Sequence, residues 1–399
     1  MKKILLLGGS SQQVVAITTA KRLGYYTILL DYLPDNPGQF FADEYYPIST
    51  TDKDAVLRVA QQSKIDGIIA YASDPAAPTA AYVAEKMSLP TNPLNSVNTL
   101  CNKDQFRHFL KENCFNAPES RVCKDYNIDI SGLTLPVIVK PIDSSGSKGT
   151  TVIKSWEYLQ SALKYAFLFS RSHSAIVEEY IEKKHNYLVG GDIFINNGEI
   201  KLWGLLNCHR DMKVNALVPV GKSYPLELDD SDVRLIKNEI ERLVHKLQIK
   251  FGSINIELIV DNNNEVWLLD VGPRAGGNLI PELLSIIFNV DLVELAIKAS
   301  MGEILELNTK DMISQEKNVF FASHNLHSDK IGKLDRIQFD SNLEKKIIEK
   351  KIYKSKGNDI EYFNDASKTL GTIIMKFESK EEMKKTLDNI NELYRIVLK

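Results

Sequence analysis

The sequence predicts an α/β protein: an N-terminal domain built on a parallel sheet, a central α+β region and a C-terminal α/β extension. Three observations carry that expectation. Apolar strands and amphipathic helices alternate over roughly the first hundred residues, two turns rich in Gly and Ser follow apolar strands, and a later pair of apolar strands each carries one carboxylate.

With 399 residues the chain is too long for one ordinary core and long enough for two or three. Its 44% hydrophobic and 25% charged residues match soluble globular domains and exclude a collagenous or largely disordered chain. A net charge of −3 supplies no basic field to draw the chain to nucleic acid or to a membrane surface, so small-molecule partners are expected. Cys101, Cys114, Cys123 and Cys208 show no CxxC pair and no zinc-ligand spacing, which fits reduced thiols in a cytosolic protein. Lys2 and Lys3 precede an apolar run, but Gly8 ends it too early for a signal peptide. No apolar stretch nears the roughly 18 residues of a membrane span, and the expected location is the cytoplasm.

Residues 4–7 read as a strand, and the turn GGSSQQ follows. Val14, Ile17, Ala20 and Leu23 then fall at helical spacing before a second strand, 27–30, that ends at Asp31. A helix near 54–63, a strand 67–71 and a helix 76–87 extend this βαβ unit, and the Pro and Asn cluster at 90–95 closes it. The turn lacks GxGxxG because Gln13 stands at the last Gly position, so no dinucleotide site is expected. It fits a substrate carboxylate or phosphate at a helix N-terminus, or a purely structural turn.

A helix at 103–113 opens the central region, followed by a strand 137–139, a helix 155–167 and a strand 175–177 with Glu178 and Glu179 at its end. Strands 187–195 and 199–206 flank the turn NNG, where Gly198 is suited to positive φ. The helix 230–247 presents Val233, Ile236, Ile240, Leu243 and Leu247 on one face, with Asp229, Asp230 and Asp232 at its positive end and His245 and Lys246 at the other, and reads as scaffold. From Phe320 the chain is lysine-rich, with a strand at 372–375 and a helix at 380–394; the charge runs 344–346 and 349–351 read as solvated helix faces.

Two segments carry chemistry. KPIDSSGSKGT, 140–150, puts Lys140 at the end of a buried strand, and Ser144, Ser145, Gly146, Ser147, Lys148 and Gly149 then suit a flap over polyphosphate, although a surface hairpin without ligand also fits. In the hairpin 251–278 a four-residue loop, 261–264, would set Glu257 opposite Leu268 and diagonal to Asp270, on one face. Two carboxylates so placed suit Mg²⁺ with phosphate oxygens, or are simply exposed strand residues. Arg274 follows before a helix beginning near Asn278, where a guanidinium suits a phosphoryl group or a substrate carboxylate. Cys208 and His209, adjacent in sequence, make no Cys/His dyad.

In their order these pieces resemble the ATP-grasp superfamily: Lys103 on a helix, Lys140 with its flap, VEEYI at 177–181, the carboxylate hairpin and PRAGG. KPIDSSGSKGT with PRAGGNLIPELL is most similar to the carboxylate–amine ligases of the L-amino-acid ligase and carbamoyl-phosphate-synthase-like group. The resemblance implies a pre-ATP-grasp domain at 1–98, an ATP-grasp domain at 99–305 with a lid near 117–182, and an extension at 306–399. It implies that Lys103 and Lys140 contact ATP phosphates and that the flap residues Ser144, Ser145, Gly146, Ser147 and Gly149 close over them. Glu178 and Glu179, with the backbone of Tyr180 and Ile181, would hold adenine, and Glu257 and Asp270 would bind Mg²⁺, or Mn²⁺ as a substitute. Arg274 and Lys140 would be the catalytic cations, and Arg274, Gly276, Gly277 and Asn278 would border the substrate.

The activity so implied joins a small carboxylate, an amino acid, to an amine through an acyl phosphate, releasing ADP and phosphate; the likeness also admits a homodimer. DVGPR departs from the family's ENPR or EINPR, with Asp270 for Glu and Gly272 for the usual Asn ligand, and EKKHNYL leaves the ribose contact among Glu182, His185 and Asn186. Two alternatives stay open. One is a formate- or bicarbonate-activating enzyme of the purine or biotin-carboxylase type, although AGGNLIPE lacks the RIQVEH-like continuation of biotin carboxylases; the other is a degenerate ATP-binding subunit.

Overall fold

A computed structural model describes residues 1–303, 305 and 319–399. β1 (Lys3–Leu7), β2 (Tyr26–Leu30), β3 (Glu44–Tyr46) and β4 (Gly67–Ile69) form a parallel sheet in the order β3-β2-β1-β4. Ile4, Leu5, Leu6 and Leu7 are all buried, as a strand covered by helices on both faces requires. Ile4, Ile17 and Ala20 pack with Ala275, Val293 and Ile297, so this domain is seated on the central region through an apolar seam.

The GGSSQQ turn is closed by its own side chains. Gln13 Oε1 accepts from Ser10 N and Oγ at 3.0 and 2.9 Å, its Nε2 donates to the Tyr71 carbonyl at 2.8 Å, and Asp31 accepts from Gly9 N at 2.7 Å. The amides of Gly8, Gly9, Ser10 and Gln13 are thereby used within the turn and its neighbouring strand.

β5 (Ser120–Cys123), β6 (Val137–Pro141), β7 (Thr151–Ile153) and β8 (Ala175–Glu179) form a small antiparallel sheet, β5-β8-β6-β7, backed by the helix Leu159–Phe169. The second sheet is larger. β9 (Leu188–Asn196), β10 (Glu199–Asp211), β11 (Asn215–Tyr224), β12 (Phe251–Val260), β13 (Val266–Gly272) and β14 (Phe320–Leu326) belong to it. β15 (Gly332–Phe339), β16 (Ile347–Ile352), β17 (Asp359–Ile360), β18 (Gly371–Phe377) and β19 (Tyr394–Leu398) follow, and the order β13-β12-β9-β10-β11-β14-β18-β16 carries the large sheet into the C-terminal extension. The expected boundary at 306 lies outside the described residues.

Asn197 and Gly198, both at positive φ, make the two-residue turn between β9 and β10. The helix Asp230–Lys246 packs Ile236, Ile240 and Leu243 against the sheet as scaffold. The C-terminal end departs from expectation. The helix expected at 380–394 stops at Asp388, and Tyr394–Leu398, rich in β-formers, pairs instead with β15. The charge run 349–351 lies in β16, an edge strand rather than a helix, with Lys350 exposed and Glu349 and Lys351 half-buried, and Glu344 ends the helix Ser341–Glu344. Among the described residues no helix is long and apolar enough to cross a membrane.

Candidate functional site

The small and large sheets clasp a cavity of about 1140 Å³, larger than most single-ligand pockets. Its lining includes the apolar side chains of Pro136, Ile138, Val152, Ile181, Ile259 and Leu269, with Tyr180 and Glu179, and a set of charged and polar residues.

Lys140, in β6, reaches the cavity with its Nζ 2.7 Å from Glu178 Oε2, and Glu178 Oε1 accepts from Arg107 Nε at 2.7 Å. Arg107 and Glu178 are 2% and 1% exposed. The Arg107 and Lys140 charges overcome burial and hold the Glu178 carboxyl down to about 2. Glu178 thus aims Lys140 rather than presenting a free carboxylate to a base. Lys103 opens the helix Lys103–Glu112, capped by Asn102, and its Nζ donates to the Ser144 carbonyl at 2.8 Å, tying it to the flap.

The flap lies down on the large sheet. Ser147 Oγ donates to Leu217 O at 3.0 Å, and Ala366 N, from the extension, donates to Gly146 O at 3.1 Å. Ser144, Ser145, Gly146, Ser147 and Lys148 line the cavity; Gly149, at positive φ, packs against Pro141 and Phe169.

In the carboxylate hairpin the register differs from expectation. Val260 pairs with Val266, so the loop has five residues, and a bulge between Glu257 and Leu258 sets Glu257 directly opposite Asp270 instead of diagonal to it. Both carboxylates line the cavity. Arg210 and Lys222 approach Glu257 Oε1 at 3.6 and 3.8 Å. Among the described residues no cluster of three His, Cys, Asp or Glu forms. The donor set, two facing carboxylates open to a cation-rich cavity, fits a hard divalent ion completed by phosphate oxygens and water.

Arg274 is not on this cavity. Its Nη2 lies 2.5 Å from Asp74 Oδ2, on the loop after β4, and its Nε has no partner among the described residues. Gly276 N donates to buried Asp192 at 2.8 Å. Asn278 exchanges two hydrogen bonds with Gln12, through its N–H at 2.8 Å and its Oδ1 at 2.9 Å. Arg274, Gly277 and Asn278 therefore lie against the N-terminal domain, at Asp74 and Gln12, while Gly276 lies against Asp192 of β9. Gly272 is where an Asn would stand in the family pattern, and a Cβ there would meet Asp74 Oδ1 at 2.6 Å.

Of the three ribose candidates, Glu182 and Asn186 line the cavity. His185 is structural: its Nε2 accepts from Val260 N at 2.9 Å while Nδ1 meets the Tyr187 carbonyl. Cys208 Sγ meets Lys222 Nζ, whereas His209 Nε2 meets Ser223 Oγ at 2.8 Å, so the two neighbours point to different partners; burial lowers His209 to about 4. Arg107, Lys222, Asp74 and Asp192 were missed by sequence reasoning. Arg107 alone left a signal, since it is three residues before Leu110 and four after Lys103, on the inward stripe of its helix.

Two sheets clasping a cavity between a flap and a carboxylate hairpin define the ATP-grasp architecture. Residues 100–278 match the ATP-grasp domain family, a stretch that includes Lys103, Lys140, the flap, Glu257 and Asp270. The chain superposes on an L-amino acid ligase from Bacillus licheniformis with a TM-score of 0.83 at 17% identity, covering 100% of this chain and 99% of that one. A phosphoribosylglycinamide synthetase from Anaerococcus prevotii gives 0.76 at 24%, covering 100% of both. In sequence, a formate-dependent phosphoribosylglycinamide formyltransferase from Prochlorococcus marinus is 28% identical over 187 residues, 45% of this chain and 48% of that protein. The chain also spans 60% of an uncharacterized Sinorhizobium fredii protein, y4rH, and 28% of a carbamoyl phosphate synthase large chain from Pseudothermotoga lettingae, less than two thirds of each relative's length. The match over residues 100–278 is to an ATP-grasp domain, and the chain shares the fold of these two solved structures.

Proposed function

We propose that the chain is an ATP-dependent carboxylate–amine ligase that forms an amide or peptide bond through an acyl phosphate, with an amino acid as the acyl donor. The observation that carries this reading is the single cavity in which Lys103, Lys140, the flap and the facing pair Glu257 and Asp270 meet. The apolar lining residues suit adenine, with the backbone of Tyr180 and Ile181 against the base and Glu182 or Asn186 at the ribose.

Lys140, held by Glu178, and Lys103, held by the flap carbonyl, offset the phosphate charge. A substrate carboxylate oxygen attacks the γ-phosphorus and ADP leaves; the amine nitrogen then attacks the acyl carbon and phosphate leaves, so the protein needs no nucleophile of its own. Glu257 and Asp270 would hold Mg²⁺, which supplies charge stabilisation at the phosphates when bound. The flap keeps water from the acyl phosphate. Arg274, released from Asp74, would meet the substrate carboxylate or its acyl phosphate at the junction with the N-terminal domain.

The test is ADP and phosphate release from ATP and Mg²⁺ over amino acids singly and in pairs, other carboxylates with amines, formate and bicarbonate. Release that requires a carboxylate and an amine, with a condensed product by mass, supports the ligase. Release with formate or bicarbonate alone supports the alternative that the formyltransferase likeness keeps in view. Nucleotide binding without release under any pairing supports the degenerate binder, and light scattering tests the homodimer.

A further inference from the structure

Lys222, on β11, is 5% exposed. Among the described residues its ammonium meets one atom at hydrogen-bond distance, Cys208 Sγ, 2.6 Å away at the facing position of β10. A thiol sulfur is a weak acceptor, while a buried ammonium carries three donors and is costly to leave without an anion. The nearest carboxylate oxygen, Glu257 Oε1, is 3.8 Å away and is approached by Arg210 as well, at 3.6 Å; both distances exceed a hydrogen bond. Lys103 and Lys140 differ, each having an oxygen acceptor within 2.8 Å.

The backbone keeps this reach open. Gly190 of β9 pairs with Glu257 on one side and with Leu206 of β10 on the other. A Cβ at Gly190 would come within 2.9 Å of Lys222 Nζ and 2.6 Å of Cys208 Sγ. The missing side chain lets an ammonium from β11 cross β10 toward the carboxylate on β12.

We infer that Lys222 is a catalytic cation of this site, whose ammonium takes up the anionic oxygens of the phosphoryl group in transfer and sits between Cys208 and Glu257 until then. This rests on reading the cavity as a phosphoryl-transferring ligase site. With Glu257 committed to a divalent ion, Lys222 loses its one nearby carboxylate, and a phosphoryl group is the anion that restores the balance.

The test uses the intact chain with ADP and Mg²⁺, and with aluminium fluoride added to mimic a phosphoryl group in transfer. Aluminium fluoride is expected to tighten ADP binding to the unaltered protein. Lys222→Met is expected to bind ADP and Mg²⁺ within about twofold of it but to lose roughly tenfold or more of that tightening, and Lys222→Arg to recover part of it. Where Lys222→Met melts early, Lys222→Gln carries the same comparison. Tightening kept by the charge-free variant, no tightening in the unaltered protein, or ADP binding weakened as much as the tightening would each overturn the role. Carboxylate- and amine-dependent ADP release is a separate readout. Its absence in the unaltered protein, beside an intact aluminium fluoride effect that needs Lys222, defeats the ligase reading and leaves the role of Lys222 standing.

Discussion

Arg107 Nε lies 2.7 Å from Glu178 Oε1 in an ion pair closed to solvent, and the other carboxylate oxygen holds Lys140. One buried carboxylate therefore links a helix to the strand that presents the candidate phosphate-binding lysine. Removing Arg107 leaves Glu178 buried with a single cation, and Arg107→Met is expected to cost about 3–5 kcal/mol in denaturant unfolding. Arg107 also donates to the Leu269 carbonyl at 2.7 Å, so the loss extends to the hairpin. An unfolding midpoint equal to that of the unaltered protein would refute the coupling.

The same carboxylate predicts acid sensitivity. Its folded value is held down to about 2 against an ordinary 4.5. A depressed carboxylate stabilises fully above its unfolded value and loses that contribution as pH falls toward its folded one. Stability is expected to decline between pH 4.5 and about 2 in the unaltered protein, and the decline should be shallower in an Arg107→Met, Glu178→Leu double variant, which no longer carries the titrating group. Parallel pH profiles from denaturant melts would remove Glu178 as the cause.

What sequence reasoning found and missed separates along physical lines. Glu257, Asp270, Lys103, Lys140 and the flap were picked out from short-range spacing within two strands, a helix start and a strand-to-turn junction, and the structure brings them to one cavity. The facing of Glu257 and Asp270 was not, because a bulge between Glu257 and Leu258 adds a residue that no period-2 count includes. The N-terminal sheet was legible from its uninterrupted apolar runs. β16 was not, since its charges serve a sheet edge whose partner, β18, lies some way along the chain. Arg274 and Asp74 are joined across 200 residues, beyond any local pattern.

Glu257 and Asp270 face each other across the hairpin, and carboxylate charge is what favours a divalent cation there. Glu257→Gln and Asp270→Asn keep size and remove charge, so each is expected to lower Mg²⁺-dependent turnover by roughly a hundredfold or more while thermal melting moves little. Glu257→Gln also relieves the carboxylate that Arg210 and Lys222 approach. Full turnover in either variant would remove the metal assignment.

Arg274 is held by Asp74 at the junction of two domains, with its Nε unpaired among the described residues. Asp74→Asn frees the guanidinium without emptying the space beside Gly272. If Arg274 binds a substrate anion, Asp74→Asn is expected to lower KM for the carboxylate while Arg274→Met raises it, with KM for ATP changed by less than about threefold in both. Equal shifts in the two KM values would mean that the pair only joins the domains.

Two flap glycines at positive φ face different surroundings, and they separate backbone strain from packing. Gly146 has φ +70° and a Cβ there would meet only the Ala366 Cβ at 3.4 Å, an ordinary contact. Gly149 has φ +67°, and its Cβ would meet Pro141 Cγ at 2.9 Å, Phe169 at 3.0 Å and the Ala166 Cα at 3.2 Å, the last on a helix backbone that cannot swing aside. Gly146→Ala therefore carries the left-handed penalty of about 1–2 kcal/mol alone, whereas Gly149→Ala adds overlap against the helix Leu159–Phe169 that backs the small sheet. Gly149→Ala should melt at the lower temperature and raise KM for ATP the more, because the displaced flap no longer lies over Lys103 and Lys140. Equal melting temperatures and equal KM values would show that the flap ends are free of that helix.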